Sequence, residues 1–173
     1  MFKASKHIIL TDNLQLVPFA PEHTDGLFAM NSNPEVMQYL GDVQTLEDVK
    51  KNIARVQARW EKSGYGWWAV LLKGSDTVIG AACLQNLANR EDAALEIGWR
   101  LMPEFQAKGY ATEAGQAAMD YGFETLGVDY LCAVANPENI ASQKVMQRLG
   151  MHYVGVQTHY DEPCAYYELY KPV

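Results

Sequence analysis

A chain of 173 residues with 49% hydrophobic and 20% charged residues can bury one sizeable core unaided, which predicts a single domain over residues 1–173 and argues against disorder. Its formal net charge of −7 lacks the basic footprint that nucleic-acid binding needs and suits a cationic partner such as an amine. No apolar run is long enough to span a bilayer or to serve as a secretory signal, so a soluble, cytoplasmic protein with no membrane partner is expected.

Leu14, Leu16 and Pro18 alternate as in a short edge strand, because proline cannot donate to a central ladder. A helix is expected from about His23 to Met30. Asn33-Pro34, an N-cap followed by proline at the first helical position, opens a short helix that runs into Tyr39 and stops near Gly41. Thr45 with Asp48 three residues on is a variant capping box. Leu46, Val49, Ile53, Val56 and Trp60 then recur at intervals of three and four, one face of a helix that Gly64 ends. Strands from Gly66 to Leu72 and from Thr77 to Leu84 flank the turn formers Gly74, Ser75 and Asp76 and predict a hairpin.

Ala93 to Leu101 reads as a further strand, and the loop Met102 to Lys108 leads into an alanine-rich helix from Gly109 to Leu126. Tyr130 to Ala135 is a strand ended by Asn136-Pro137. Asn139 to Leu149 is a helix closed by Gly150, and strands near His152 to Thr158 and Ala165 to Tyr170 complete the chain. The order predicts an α+β, or mixed α/β, domain with a largely antiparallel sheet. One step, from the Ala93 strand through its helix to the Tyr130 strand, is a parallel crossover. Cys83, Cys132 and Cys164 lack C-x-x-C spacing and read as reduced structural thiols. The four histidines lack metal-ligand spacing, so no metal is assigned.

The segment Gln106-Ala107-Lys108-Gly109-Tyr110-Ala111-Thr112 lies between a strand and a helix. Its small residues let backbone approach a ligand, and free N–H groups at a helix start suit a pyrophosphate. Alone it is also an ordinary strand-to-helix turn, and it matches neither the dinucleotide nor the P-loop pattern. With its flanks it carries more. Leu95-Glu96-Ile97-Gly98-Trp99, the 106–112 loop, Asn136-Pro137-Glu138-Asn139-Ile140-Ala141-Ser142 and Arg148-Leu149-Gly150-Met151 follow in order, after Asn33-Pro34-Glu35-Val36. Together they resemble the GNAT superfamily of N-acetyltransferases, in its RimJ/RimL-like branch of ribosomal-protein N-terminal acetyltransferases.

The resemblance implies a twisted, largely antiparallel sheet of about seven strands flanked by helices, with one splayed parallel pair. It implies acetyl-coenzyme A as co-substrate. The backbone of Trp99, Arg100 and Leu101 would pair with the pantetheine arm, and the amides of Gln106, Ala107, Lys108, Gly109, Tyr110, Ala111 and Thr112 would cradle the pyrophosphate. Asn136, Asn139 and Ser142 would add further cofactor contacts, although Asn139 also reads as a plain helix cap.

Glu96 alternates away from Leu95 and Ile97, a placement that also suits an ordinary solvent-facing carboxylate; the resemblance implies Glu96 as the general base, with Asp161, after the last helix, as the rival. Ser142 is the candidate proton or hydrogen-bond donor to the leaving thiolate, since Met146 stands where many relatives place a tyrosine acid. Trp60, Trp67, Trp68 and Tyr39 could line an acceptor pocket, Trp60 and one of the paired tryptophans reading better as core. The acceptor is a primary amine, either a protein N-terminus or a small amine such as a polyamine, amino acid or aminoglycoside. A non-catalytic acyl-coenzyme A binder, or an interaction module built on the same fold, is the alternative that Met146 motivates. The resemblance also allows a homodimer.

Overall fold

The computed structural model describes residues 3–173. Eight strands form one sheet in the order β1-β2-β3-β4-β5-β6-β8-β7. They are β1 (Ile9–Leu10), β2 (Leu14–Pro18), β3 (Trp67–Leu72), β4 (Val78–Asn86), β5 (Leu95–Leu101), β6 (Tyr130–Ala135), β7 (His152–His159) and β8 (Glu162–Tyr170). All neighbours pair antiparallel except β5 and β6. The strand beyond the expected seven is β1, two residues long, which pairs with Gln15 and Leu16 of β2. Pro18 therefore stays on an uncovered stretch of edge, where its missing N–H costs no ladder bond.

The helices are α1 (Thr24–Asn31), α2 (Pro34–Met37), α3 (Leu46–Ser63), α4 (Tyr110–Asp120) and α5 (Ile140–Arg148). Helix α3 is held at both ends as its sequence predicts. Thr45 Oγ1 accepts from the Asp48 N–H at 3.2 Å, Asp48 Oδ2 accepts from the Thr45 N–H at 2.9 Å, and Gly64 closes the helix at φ +73°. Val49, Ile53, Val56 and Trp60 are buried on one face, each removal of a large apolar side chain from water stabilising the fold by about 1.5–3 kcal/mol. Leu46, expected on that face, is exposed, because it sits in the first turn before the helix reaches the core.

The helix expected to run to Leu126 departs from that reading. It widens after Asp120 into a π-turn over Tyr121–Thr125, with the Leu126 N–H donating to Tyr121 O. The wide turn places Tyr121 OH on Gly64 O at 2.8 Å and its ring edge-on to Trp68. Strand β8 begins at Glu162 rather than Ala165, Pro163 being tolerated because β6 ends its pairing at Ala165. On α4, Gly115 lets two elements close in: a Cβ there would meet Leu149 at 2.9 Å and the Trp99 ring at 3.3 Å. That contact seats α4 and the end of α5 against the Trp99 face of β5. Glu113 ties α4 to the N-terminal segment, accepting from Thr11 Oγ1 at 2.5 Å and the Asn13 N–H at 2.7 Å.

No helix among the described residues is long and apolar enough to cross a membrane. All three cysteines are buried and free.

Candidate active site

Strand alternation gives β5 two unlike faces. Leu95, Ile97 and Leu101 are buried and Trp99 packs toward α4, whereas Glu96, Gly98 and Arg100 share the opposite face. Strand β5 meets β6 through a single register pair, Glu96 with Cys132. Beyond it the strands part, so the β6-facing edge of Gly98 to Leu101 has no ladder partner. Glu96 stands at the root of that gap.

Glu96 is buried, with 5% of its surface exposed. Its Oε1 accepts from Gln85 Nε2 at 2.8 Å and from the Tyr160 hydroxyl. Gln85 is itself held by Trp67, whose indole N–H donates to Gln85 Oε1 at 3.0 Å. The Tyr160 oxygen accepts in turn from Gln85 Nε2 at 3.2 Å. All these bonds fall on Oε1; Oε2 has no hydrogen-bond partner among the described residues. Burial pushes the Glu96 carboxyl above the usual glutamate range, against the hydrogen bonds from Tyr160 and Gln85 that pull it down. A carboxylate so placed has one oxygen fixed and one open to a proton-bearing ligand.

Tyr160 and Asp161 form the two-residue tip of the β7–β8 hairpin, between the paired His159 and Glu162. Both have positive φ, +54° and +61°. The tip turns the Tyr160 ring onto Glu96 and leaves Asp161 exposed, with no side-chain hydrogen bond among the described residues. Tyr160 was not a sequence candidate. Two-residue hairpin turns with positive φ at both positions favour asparagine and glycine, and this tip has neither.

Four residues along β5 from Glu96, Arg100 extends over Trp67 with Cζ 4.7 Å from the ring centroid. Its Nη1 donates to Asn31 Oδ1 at 3.0 Å and lies 3.7 Å from Met37 Sδ. Of the tryptophans, Trp67 stands in the site, while Trp60 and Trp68 are core residues with 1% and 0% exposure. Tyr39 is half-buried just beyond α2.

The loop between β5 and α4 alternates backbone hand, with Ala107 at φ +60° and Gly109 at φ +84°. Such alternation turns successive N–H groups toward one side, an anion-binding concavity. The first helical bond runs from the Glu113 N–H to Gly109 O at 3.0 Å, so the amides of Tyr110, Ala111 and Thr112 project from the helix end. The Gln106 amide is already engaged with Pro103 O, and its side chain with Leu101 O. The free series therefore begins at Ala107 and includes Lys108.

Asn139 caps α5 by accepting from the Ser142 N–H at 3.2 Å, and Asn136 Oδ1 accepts from the Glu138 N–H at 2.9 Å. Each keeps its amide donors. The Ser142 hydroxyl has no partner among the described residues, and Met146 is buried. Gln143, one residue on, accepts from Tyr167 OH at 3.1 Å. That bond puts α5 on the side of the sheet opposite Glu96, since Tyr167 pairs with Ala133 and Glu96 with Cys132.

A model of the acetyltransferase (GNAT) domain matches residues 13–152. The N-acetyltransferase YnaD of Bacillus subtilis strain 168, described as uncharacterized, is 31% identical over 148 residues, spanning 85% of this chain and 84% of its own. The acetyltransferase (GNAT family) from Bacillus anthracis has a similar structure, with a TM-score of 0.81 at 26% identity over 94% of this chain and 98% of that one. RimL, a ribosomal L7/L12 α-N-protein acetyltransferase solved in complex with coenzyme A, shares the fold with a TM-score of 0.76 at 20% identity, over 94% and 97% of the two chains.

Proposed function

The chain belongs to the GNAT acetyltransferase family, and from that premise we propose that it transfers acetyl from acetyl-coenzyme A to a primary amine, with Glu96 as general base. Acetyl-coenzyme A supplies the acyl group in activated form, as a thioester. The chain's own groups fit it. The free amides from Ala107 to Thr112 would hold a pyrophosphate at the N-terminus of α4. The unpaired edge of Trp99, Arg100 and Leu101 offers backbone groups to an extended, amide-bearing arm, and the amides of Asn136 and Asn139 would add contacts to it.

The observation that carries the reading is the divided carboxylate of Glu96, one oxygen held by Gln85 and Tyr160 and the other without a partner at the root of the β5–β6 gap. An ammonium reaching Oε2 can give up its proton there, and burial makes the carboxylate a better acceptor than an exposed glutamate. Asp161, exposed at the hairpin tip, is assigned no proton transfer. Backbone N–H groups of β5 would meet the charge developing on the carbonyl oxygen. Ser142, on the far side of the sheet, would hydrogen-bond the departing thiolate. The motif resemblance favours a protein N-terminus as acceptor over a small amine.

Mass spectrometry of peptides and small amines incubated with acetyl-coenzyme A tests the reading. The expected result is acetylated amine whose kcat/KM falls about 10²-fold or more in Glu96→Gln. Wild-type rates in that variant would remove Glu96 from the role, and products from small amines alone would remove the peptide acceptor.

A further inference from the structure

Arg100 poses a problem that the acetyl-transfer reading does not absorb. Its side chain leaves β5 on the Glu96 face, in a site expected to receive a cation, yet it is itself a cation. No carboxylate lies within ion-pairing distance of it among the described residues. One nitrogen, Nη1, meets Asn31 and Met37. Nε is buried without a hydrogen-bond partner, and Nη2 has none among the described residues either. Nε–H and Nη2–H form one edge of the guanidinium, two parallel donors spaced to match the two oxygens of a carboxylate.

Anchoring α1 through Asn31 would need one neutral donor, and it explains neither the charge nor the empty edge. Stacking on Trp67 holds the guanidinium plane in place, so the donors are oriented before any ligand arrives. Burial also disfavours the charge, which an incoming anion would offset.

We infer that Arg100 is a specificity residue that binds a carboxylate of the acceptor while the acceptor's amine faces Glu96. The inference rests on the acetyl-transfer reading and adds the chemical class: an amine carrying a carboxylate several bonds away. Two side chains on one strand face, four residues apart, start about 13 Å from each other at their Cα atoms. Arg100 leans back toward Glu96 over Trp67, whose strand position aligns through Cys83 with Gly98. An α-amino acid, with its two charged groups on one carbon, is too short to bridge them. A peptide N-terminus followed by an acidic residue, or an amino acid whose amine ends a long side chain, has the reach.

The test is acetyl transfer to two matched pairs: a peptide beginning Ser-Asp against the same peptide with Asn, and 6-aminohexanoate against 6-aminohexanamide. Wild type should favour the acid over the amide by about tenfold or more in kcat/KM, the scale of a charge-assisted pair. The pair that shows the preference identifies the peptide or the small-molecule source. Arg100→Gln should bring the acid-to-amide ratio in kcat/KM to about one, whatever its effect on the overall rate, and Arg100→Lys, which keeps the charge without the fork, should restore part of the preference.

Equal acid-to-amide ratios in wild type and Arg100→Gln would overturn the inference, as would a wild type that favours the amides. Should Arg100→Gln fail to fold, as judged by its thermal melt, the Lys variant and the wild-type ratios still decide. A rise in wild-type Tm with acetyl-coenzyme A reports separately on the cofactor site. That rise with transfer to none of the four amines overturns the acceptor class alone, whereas no rise overturns the reading beneath it.

Discussion

Tyr160 reaches Glu96 from a backbone conformation that costs a bulky residue about 1–2 kcal/mol. Ala88 and Asn89, in the β4–β5 loop, are left-handed too. Left-handed backbone of this kind persists where surrounding contacts over-determine it. Here they converge on one carboxylate oxygen. Removing the hydroxyl takes away a bond that lowers the Glu96 pKa, so in Tyr160→Phe the acid-side limb of the pH–rate profile, where rate rises as the base loses its proton, should move to higher pH. An unmoved limb would show that Glu96 does not set it.

Stability carries the same signature. A carboxyl whose pKa is raised on folding contributes stability that is present below its unfolded value, about 4.3, and lost as pH rises through the folded value. The Tm of Glu96→Gln should therefore gain on wild type between pH 4 and pH 8. Alternation set which face Glu96 takes, and the motif resemblance made it legible as a candidate base. Tyr160 was not, because its turn lacks the residues that announce such turns.

Elements were legible where local chemistry and burial agree. Helix α3 has its capping box, its apolar face and its terminal glycine, and all three appear in the fold. The π-turn after α4 was hidden because Tyr121, Gly122 and Phe123 continue a helical apolar pattern, and tertiary contacts of Tyr121 decide the widening. The loop between β5 and α4 is a mixed case. Its position was readable, but the left-handed alanine at 107 was not, since only glycine is at ease there. Gly109→Ala should lower stability by about 1–2 kcal/mol through backbone strain alone, because the space for a Cβ is open. Ala107→Gly should raise Tm slightly, and thermal melts of both variants check the pair.

At the scale of the whole molecule, the mixed α/β class and the lone parallel step followed from the order of elements, while the attachment of the N-terminal segment did not. That attachment runs through Glu113. Burial pushes its carboxyl up, but the hydrogen bonds from Thr11, Asn13 and Leu14 together outweigh it and hold the pKa below the ordinary range. A depressed carboxyl contributes stability present above its unfolded value and lost as pH falls through the folded one. Wild type should therefore melt above Glu113→Gln at pH 7, with the gap closing toward pH 3.

One register pair joins β5 to β6, so the sheet is mechanically two leaves, β1–β5 and β6–β8, riveted at Glu96–Cys132 and backed by α4 and α5. A ligand arm lying along β5 would act as a temporary ninth strand. Cofactor recognition and continuity of the sheet then become one event: filling the gap stiffens the joint between the leaves, and emptying it restores their freedom to breathe.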